Sequence, residues 1–287
     1  MKIKVYFCDF DSFRDALNRY IFEKCFGVTV VHEDIWHADY VGIGSIADHV
    51  LLQLKDFYKS LWHLIRSKKR ITFLSCGFGR PNDYYCSRIR FFKRMIFKRK
   101  VNILSLRGEL SKEQIVSIDP SIDLSSMMLG DLGLLASYLI EEMPEKKYDL
   151  GICPHYADKD DIVFKKIQDE NPNSIILNTM DDPIEFLKKI NQCKCVISTG
   201  LHPLIVADSL GIPNAWCRIS EKTTTRHKYY DYYSIFSLKP EPINLYEEKI
   251  DIRKVSENYQ INFAEVQMIK NALYNHHKIF FDMLKNN

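Results

Sequence analysis

The sequence predicts an α/β protein with two domains, each a parallel sheet covered by helices, followed by a C-terminal helix. Along most of the 287 residues, apolar runs of strand length alternate with stretches that have the apolar spacing of helices. The alternation stops at a polar, proline-containing segment, residues 143–147, and then starts again. We therefore expect domains at residues 1–142 and 146–240, and a tail at 241–287.

The first domain is predicted from apolar runs that end in glycine or polar residues. Its strands are expected at residues 2–8, 40–43, 71–74 and 101–106. A helix is expected over residues 12–25, because Phe13, Leu17 and Ile21 fall on one helical face.

The second domain repeats the alternation, with strands expected at 149–153, 174–177, 194–198 and 213–217. Its helices are expected at 159–170, 181–192 and 202–210. Asp182 and Pro183 are typical of the first turn of a helix, and they predict where the second of these begins. In the tail, Asn262 and Glu265 predict the start of a helix that runs to about residue 285.

The composition favours a globular protein, with 46% hydrophobic and 27% charged residues. A net charge of +3 is too small to indicate nucleic acid as a partner. The longest run without a charged residue, Cys195 to Ala207, is shorter than the roughly 20 residues of a membrane-spanning helix. The first residues lack the features of a signal peptide. We expect a cytoplasmic protein whose eight cysteines are reduced and hold no metal.

One segment is the strongest candidate for chemistry. A predicted strand ends at Ser198, a turn follows, and His202 stands at the start of the next helix before Pro203. In parallel sheets, ligands bind at the carboxyl ends of strands, and a helix N-terminus favours an anion. His202 is therefore either a catalytic group that faces a cleft or a residue that only caps its helix.

Eight short motifs follow one another in a fixed order along most of the chain: 13–18, 42–46, 75–79, 105–108, 129–135, 150–158, 198–214 and 228–233. The most specific is Ser198-Thr199-Gly200-Leu201-His202-Pro203. Together these motifs resemble the polysaccharide pyruvyl transferases. The resemblance implies two Rossmann-like domains that face a cleft in a GT-B-like fold.

The resemblance also implies the reaction. Members of this family transfer pyruvate from phosphoenolpyruvate onto two hydroxyls of a sugar, which gives a cyclic ketal. The reaction needs one acid to protonate the methylene carbon and one or two cations to hold the anionic donor. It needs no redox cofactor, and a metal is not obligatory. We expect the acceptor to be a sugar of a cell-surface polysaccharide precursor, carried on a lipid.

The resemblance assigns roles residue by residue. His202 matches the catalytic histidine. The candidate donor-binding residues are Arg107, Gly200, Leu201, Arg226 and Lys228. The candidate acceptor-binding residues are Asp15, Ser45, Gly77 and His155.

Each of these side chains also has a structural alternative. The three basic residues suit solvated surface positions, Asp15 suits a helix cap, and His155 suits a structural hydrogen bond. Gly200 departs from the family pattern, because many relatives have Arg or Ser there. Arg14 likewise replaces the glycine that is usual before Asp15.

A basic stretch at residues 88–100 holds seven cations and no acid, interleaved with large apolar residues. Such a helix can lie on an anionic membrane surface, which would suit an enzyme acting on a lipid-linked sugar. The alternative is an ordinary helix with one buried face and one solvated basic face.

Two other functions fit the same fold. One is a GT-B glycosyltransferase that uses a nucleotide sugar, although the second domain lacks two glutamates eight residues apart, a spacing used by several retaining enzymes. The other is a non-catalytic protein that binds a sugar or an anion.

Overall fold

The protein, described here by a computed structural model, contains two parallel sheets, as predicted. The described residues are 1–8, 13–51, 70–81, 100–141, 144–219 and 225–286, with backbone alone for Arg14 and Asp15. The predicted basic stretch 88–100 therefore lies outside the described residues, except for Lys100.

The first sheet has six parallel strands in the order β2-β1-β3-β4-β5-β6. Its strands are β1 (Lys2–Tyr6), β2 (Thr29–His32), β3 (Tyr40–Val41), β4 (Arg70–Cys76), β5 (Lys100–Leu106) and β6 (Met128–Leu129). The second sheet has five parallel strands in the order β11-β10-β9-β7-β8. Its strands are β7 (Tyr148–Cys153), β8 (Ser174–Ile176), β9 (Cys193–Ser198), β10 (Asn214–Arg218) and β11 (Ile243–Asn244).

In both sheets, the direction in which successive strands are added reverses after the second strand. In each, the first strand has the second strand on one side and the third strand on the other. The connections after the first and third strands therefore leave in opposite directions, which opens a crevice at their carboxyl ends. These switch points lie between β1 and β3 and between β7 and β9, so the fold marks two places where a ligand is expected.

Helices connect and cover the strands. They are α1 (Phe13–Phe26), α2 (Ala47–Leu51), α3 (Glu109–Ile118), α4 (Ile162–Glu170), α5 (Pro183–Ile190), α6 (Leu201–Ser209), α7 (His227–Tyr233), α8 (Ile252–Glu257) and α9 (Phe263–Asn286), with 3₁₀-helices at Leu132–Leu139 and Ser234–Phe236. Aspartates start several of them. Asp161, Asp182 and Asp251 each accept backbone N–H groups of the first turn, which satisfies donors that have no partner within the helix. The predicted cap Asn262 likewise accepts the N–H of Ala264.

Three short strands were not predicted: β2, β6 and β11. Strand β11 lies in the expected tail and pairs with β10, so the second sheet extends beyond the predicted boundary at residue 240. The rest of the tail does not form a separate unit. Helix α9 packs against the first half, where Phe281 contacts Phe22 and Nε2 of His277 lies 2.9 Å from the Ser105 hydroxyl.

Among the described helices, none combines the length and the apolar character that crossing a membrane requires. Seven cysteines are described, and each is free of a disulfide.

Candidate functional site

The candidate site lies at the switch point of the second sheet. Strand β7 ends at Cys153 and leads into the turn that holds His155 and Asp158. Its neighbour β9 ends at Ser198 and leads through Thr199 and Gly200 into α6. The two connections that the sequence singled out are therefore adjacent in space.

Hydrogen bonds fix the turn between β9 and α6. The Ser198 hydroxyl donates to the carbonyl of Cys153 over 2.7 Å and accepts the N–H of Gly200 over 2.9 Å. The Thr199 hydroxyl accepts the backbone N–H of His155 over 2.9 Å. The carbonyl of Thr199 accepts the hydroxyl of Tyr229 over 2.7 Å. This network joins both connections to α7 and holds the residues around His202 in one arrangement.

His202 lies in the first turn of α6, where the sequence predicted it, and its residue exposure is 6%. Gly200 occupies the cap position, and no side chain caps this helix. The alternative in which His202 itself caps the helix is wrong, because His202 is inside the helix. Its catalytic role stays a prediction, as does the donor contact of Leu201, which is 2% exposed.

Asp158 also lies at this site; it ends the sequence motif 150–158, but no role was predicted for it. It is 4% exposed, and neither carboxylate oxygen has a hydrogen-bond partner of regular geometry among the described residues, although the Thr199 hydroxyl lies close by. Burial raises the pKa of Asp158, while the Thr199 hydroxyl and the charge of Lys228 act in the opposite direction. The available sequence signal was its position, five residues after a strand that borders a switch point.

His155 lies three residues before this acid and close to Gly200. Its Nδ1 accepts the N–H of Ala157 over 3.3 Å, and its ring contacts that of Tyr156 at a centroid distance of 4.3 Å. A Cβ atom added to Gly200 would lie 3.7 Å from Cδ2 of His155. His155 thus makes the structural hydrogen bond that was its alternative, at a place that also borders the candidate site.

Arg107 is fully buried at the joint between the two halves. Its Nε donates to Asp231 Oδ2 over 2.9 Å, Nη1 donates to the Ser45 hydroxyl over 2.7 Å, and Nη2 donates to the carbonyl of Phe78 over 2.7 Å. The structural alternative of a solvated arginine is therefore wrong. A donor could reach the guanidinium only if one of these partners moved, so donor binding by Arg107 stays a prediction.

Two glycines make room for this joint. A Cβ atom on Gly77 would lie 2.5 Å from Nη2 of Arg107 and 2.7 Å from Oδ2 of Asp231. A Cβ atom on Gly108 would lie 1.7 Å from the carbonyl oxygen of Asp231. Gly77 was predicted to contact the acceptor substrate. In this structure, the side chains of Arg107 and Asp231 fill the space next to its Cα atom.

The predicted polar loop after β10 is partly a helix. Arg226 is the cap residue of α7, and Lys228 lies in its first turn. Arg226 is half-exposed and pairs with Glu241 over 2.7 Å, as expected for a surface residue. Lys228 lies near Asp158 and above the Tyr229 ring at 5.1 Å. Lys228 is therefore the candidate cation that the structure brings to the second switch point.

The predicted site residues thus divide into two groups. Residues of the second half gather where β7 and β9 end: His155, Gly200, Leu201, His202 and Lys228. Ser45, Gly77 and Arg107 instead form the joint with Asp231. Asp15 lies in the first turn of α1, and its side chain is outside the described residues, so both its acceptor role and its capping alternative stay predictions.

The chain matches the polysaccharide pyruvyl transferase family over residues 2–221. An uncharacterized protein of Acanthamoeba polyphaga mimivirus is 37% identical over 130 residues, which make up 43% of this chain and 45% of that protein. This chain therefore matches less than half of that relative's length.

Solved structures share the fold at low sequence identity. The S. aureus MnaA–UDP co-structure is 10% identical, with 96% of this chain and 97% of that chain covered and a TM-score of 0.53. A Listeria monocytogenes protein assigned as a UDP-N-acetylglucosamine 2-epimerase is 11% identical, with 96% of each chain covered and a TM-score of 0.51. These similarities support a GT-B-like fold and carry no statement about activity.

Proposed function

Because the chain belongs to the polysaccharide pyruvyl transferase family, we propose that it transfers pyruvate from phosphoenolpyruvate onto two hydroxyls of a sugar in a polysaccharide precursor. The observation that carries this proposal is the family match over residues 2–221, which includes His202 at the second switch point. The product is a cyclic ketal, and phosphate is released.

The proposed mechanism uses His202 as the general acid. The imidazolium gives its proton to the methylene carbon of phosphoenolpyruvate, and positive charge develops on the central carbon. One sugar hydroxyl attacks that carbon, phosphate leaves, and the second hydroxyl closes the ring. The N–H groups at the start of α6 and the ammonium of Lys228 suit the two anionic ends of the donor. No electron is transferred, so the proposed mechanism has no redox cofactor, and its proton transfers can be carried out by side chains without an obligatory metal.

The acceptor that we propose is a lipid-linked sugar. Contact with an anionic membrane surface through residues 88–100 is part of this proposal and rests on the sequence of that stretch. A cytoplasmic location is likewise proposed from the sequence alone.

The test is acceptor-dependent phosphate release from phosphoenolpyruvate, measured with a panel of lipid-linked and synthetic sugars. His202→Ala is expected to lower the rate by about 100-fold or more, because the proton transfer to carbon loses its acid. The control is His37→Ala, whose ring pairs with Asp34 in the connection between β2 and β3. A His202→Ala rate near that of the wild type would contradict the assignment.

The same assay separates the other functions. Release of a nucleoside diphosphate from a nucleotide sugar, without use of phosphoenolpyruvate, would replace the proposal with a glycosyltransferase. Binding of sugar or phosphoenolpyruvate without turnover on any acceptor would replace it with a non-catalytic binding protein.

A further inference from the structure

The proposed reaction delivers protons to two different atoms, the methylene carbon and the departing phosphate oxygen. Two hydroxyl groups lose their protons when two bonds form between oxygen and the central carbon. One of these protons must balance the new C–H bond of the methyl group. The other must leave with the phosphate, whose bond to the central carbon breaks, as hydrogen phosphate. His202 accounts for the proton that reaches carbon, and a second group beside the donor would let the proton for phosphate be transferred without waiting for His202 to be reprotonated.

Asp158 has the structural properties of such a group. It follows β7 at the second switch point, close to Thr199, which precedes His202 by three residues. It is 4% exposed, and both of its oxygens are buried with no hydrogen bond of regular geometry to a described residue, although the Thr199 hydroxyl lies close by. A buried carboxylate without a well-placed donor is costly, so a fold that keeps one leaves its oxygens for a group that arrives from outside.

The charged groups around Asp158 suit both a base and an acid. Lys228 from α7 favours the carboxylate, whereas Asp161 on the same connection favours the protonated form. The Tyr229 hydroxyl faces the carboxyl from α7 and donates to the carbonyl of Thr199. The pKa of Asp158 lies above its ordinary value, chiefly because of burial. A carboxyl whose pKa lies nearer neutrality can both take and return a proton under working conditions.

We propose that Asp158 is a second catalytic residue, which takes the proton of the first sugar hydroxyl as that oxygen bonds to the central carbon and then gives it to the departing phosphate. The second hydroxyl gives its proton to His202 as the ring closes, and this restores the imidazolium. The step rests on the proposed function. It balances without any further reactant, because two protons leave the sugar, one ends on carbon and one ends on phosphate.

The test replaces the carboxyl group of Asp158 with an amide of nearly the same size. Asp158→Asn keeps the shape, and its amide oxygen can still accept from the Thr199 hydroxyl, so its unfolding midpoint should match that of the wild type. Its rate of phosphate release should fall by about 100-fold while the KM for phosphoenolpyruvate stays within about threefold. Asp160→Asn, an exposed acid on the same connection, should behave like the wild type.

Two readouts separate proton transfer from a structural role. The acidic limb of the wild-type pH–rate profile, which reports ionisation of Asp158, should disappear in Asp158→Asn. Added formate should restore part of the rate of Asp158→Ala, because a small carboxylate fits the space that the side chain vacates.

The outcomes also separate the two proposals. An Asp158→Asn rate within about threefold of the wild type, an unchanged acidic limb, or no response of Asp158→Ala to formate would overturn the role of Asp158 alone. A wild-type chain that releases no phosphate with any acceptor would overturn the proposed function, and this inference with it.

Discussion

Gly200 does not need to be glycine for conformational reasons. Its backbone is extended, with φ −106° and ψ 145°, and an added Cβ atom would have its nearest neighbour 3.4 Å away at Pro203. A side chain at this position would start beside His155, in the candidate site. The backbone at this position therefore tolerates a larger residue, and any side chain placed there would be added beside His155.

We predict that Gly200→Arg lowers the KM for phosphoenolpyruvate by about tenfold, which corresponds to one charge-assisted hydrogen bond to the donor. The phosphate-release assay measures this change. Gly200→Ser tests the same position without the charge and should change the KM much less. Equal KM values for the wild type and Gly200→Arg would show that the donor does not reach this residue.

Asp131 is a buried acid whose ionisation opposes folding. Its Oδ1 accepts the N–H of Gly133 over 2.8 Å, and its Oδ2 is buried without a bond to a described residue. Burial raises the pKa of Asp131 from 3.8 to about 6, although the charge of Arg107 lowers it. Between these two values the folded chain keeps a proton that the unfolded chain loses, so the free energy of unfolding falls as pH rises through this window.

We predict that Asp131→Asn removes this loss. Asparagine caps a helix as well as aspartate does, so the substitution mainly removes the charge. Between about pH 4 and pH 7 the variant should gain up to about 3 kcal/mol relative to the wild type. Urea unfolding at several pH values measures the gain. The control is Asp123→Asn, since the pKa of the exposed Asp123 is lowered by the N–H of Ser125. Parallel pH dependence of the wild type and Asp131→Asn would contradict the prediction.

At the scale of elements, the start of α5 serves both the helix and the contact between the halves. Asp182 accepts the N–H groups of Ile184 and Glu185, at 2.9 and 3.3 Å. It also accepts the hydroxyl of Tyr20 on α1 over 2.8 Å. Nearby, the Phe13 and Phe186 rings stack at 4.2 Å between the same two helices. One aspartate therefore stabilises a helix and joins α1 to α5.

We predict that Asp182→Ala lowers the free energy of unfolding by about 1 to 2 kcal/mol, because a cap and a tertiary hydrogen bond are both lost. Tyr20→Phe should cost less, and the double variant should cost less than the sum of the two. Asp251→Ala, which removes a cap from α8, provides the matched comparison in denaturant unfolding. Strict additivity of Asp182→Ala and Tyr20→Phe would contradict coupling across the two helices.

An element could be predicted from the sequence when the residues that determine it are close together in the chain. The helices of the second half have local start signals, such as Asp182 before Pro183, and were placed within a few residues. Strands β6 and β11 have two residues each, which is too short for any periodic pattern. They form because the longer strands β5 and β10 each have an edge whose backbone N–H and C=O groups pair with no other described strand.

In the candidate site, too, contiguous motifs could be predicted and contacts between distant residues could not. The turn from β9 into α6 could be predicted, because the motif from Ser198 to Pro203 is contiguous. The partner of Arg107 could not, because Asp231 lies 124 residues further along the chain and only packing brings them together. The significance of Asp158 depends on burial without a hydrogen bond of regular geometry, a property that no local pattern contains.

At the scale of the whole molecule, the ion pair between Arg107 and Asp231 joins α7 of the second half to the end of β5. Asp231 also accepts the backbone N–H of Ser111 over 2.7 Å and the hydroxyl of the same residue over 2.6 Å. Both side chains of the pair are fully buried. The loss of one partner would leave the other charge without compensation in the interior.

We predict that Arg107→Ala lowers the free energy of unfolding by about 3 to 5 kcal/mol, whereas Arg107→Ala with Asp231→Ala costs clearly less than the sum of the single variants. Denaturant unfolding measures both. Arg226→Ala, which removes the half-exposed pair with Glu241, should change the free energy of unfolding by less than about 1 kcal/mol. A mild effect of Arg107→Ala on stability, together with a large rise in the KM for phosphoenolpyruvate, would instead favour the donor-binding role.

The return of α9 to the first half has a consequence for biosynthesis. The Ser105 hydroxyl meets His277 across 172 residues, and Phe22 meets Phe281 across most of the chain. A ribosome must therefore release the chain through Phe281 before the outer layer of the first sheet is complete. Until then the apolar surface around Phe22 and Phe26 is uncovered. Apolar surface that stays exposed during synthesis favours aggregation of the nascent chain.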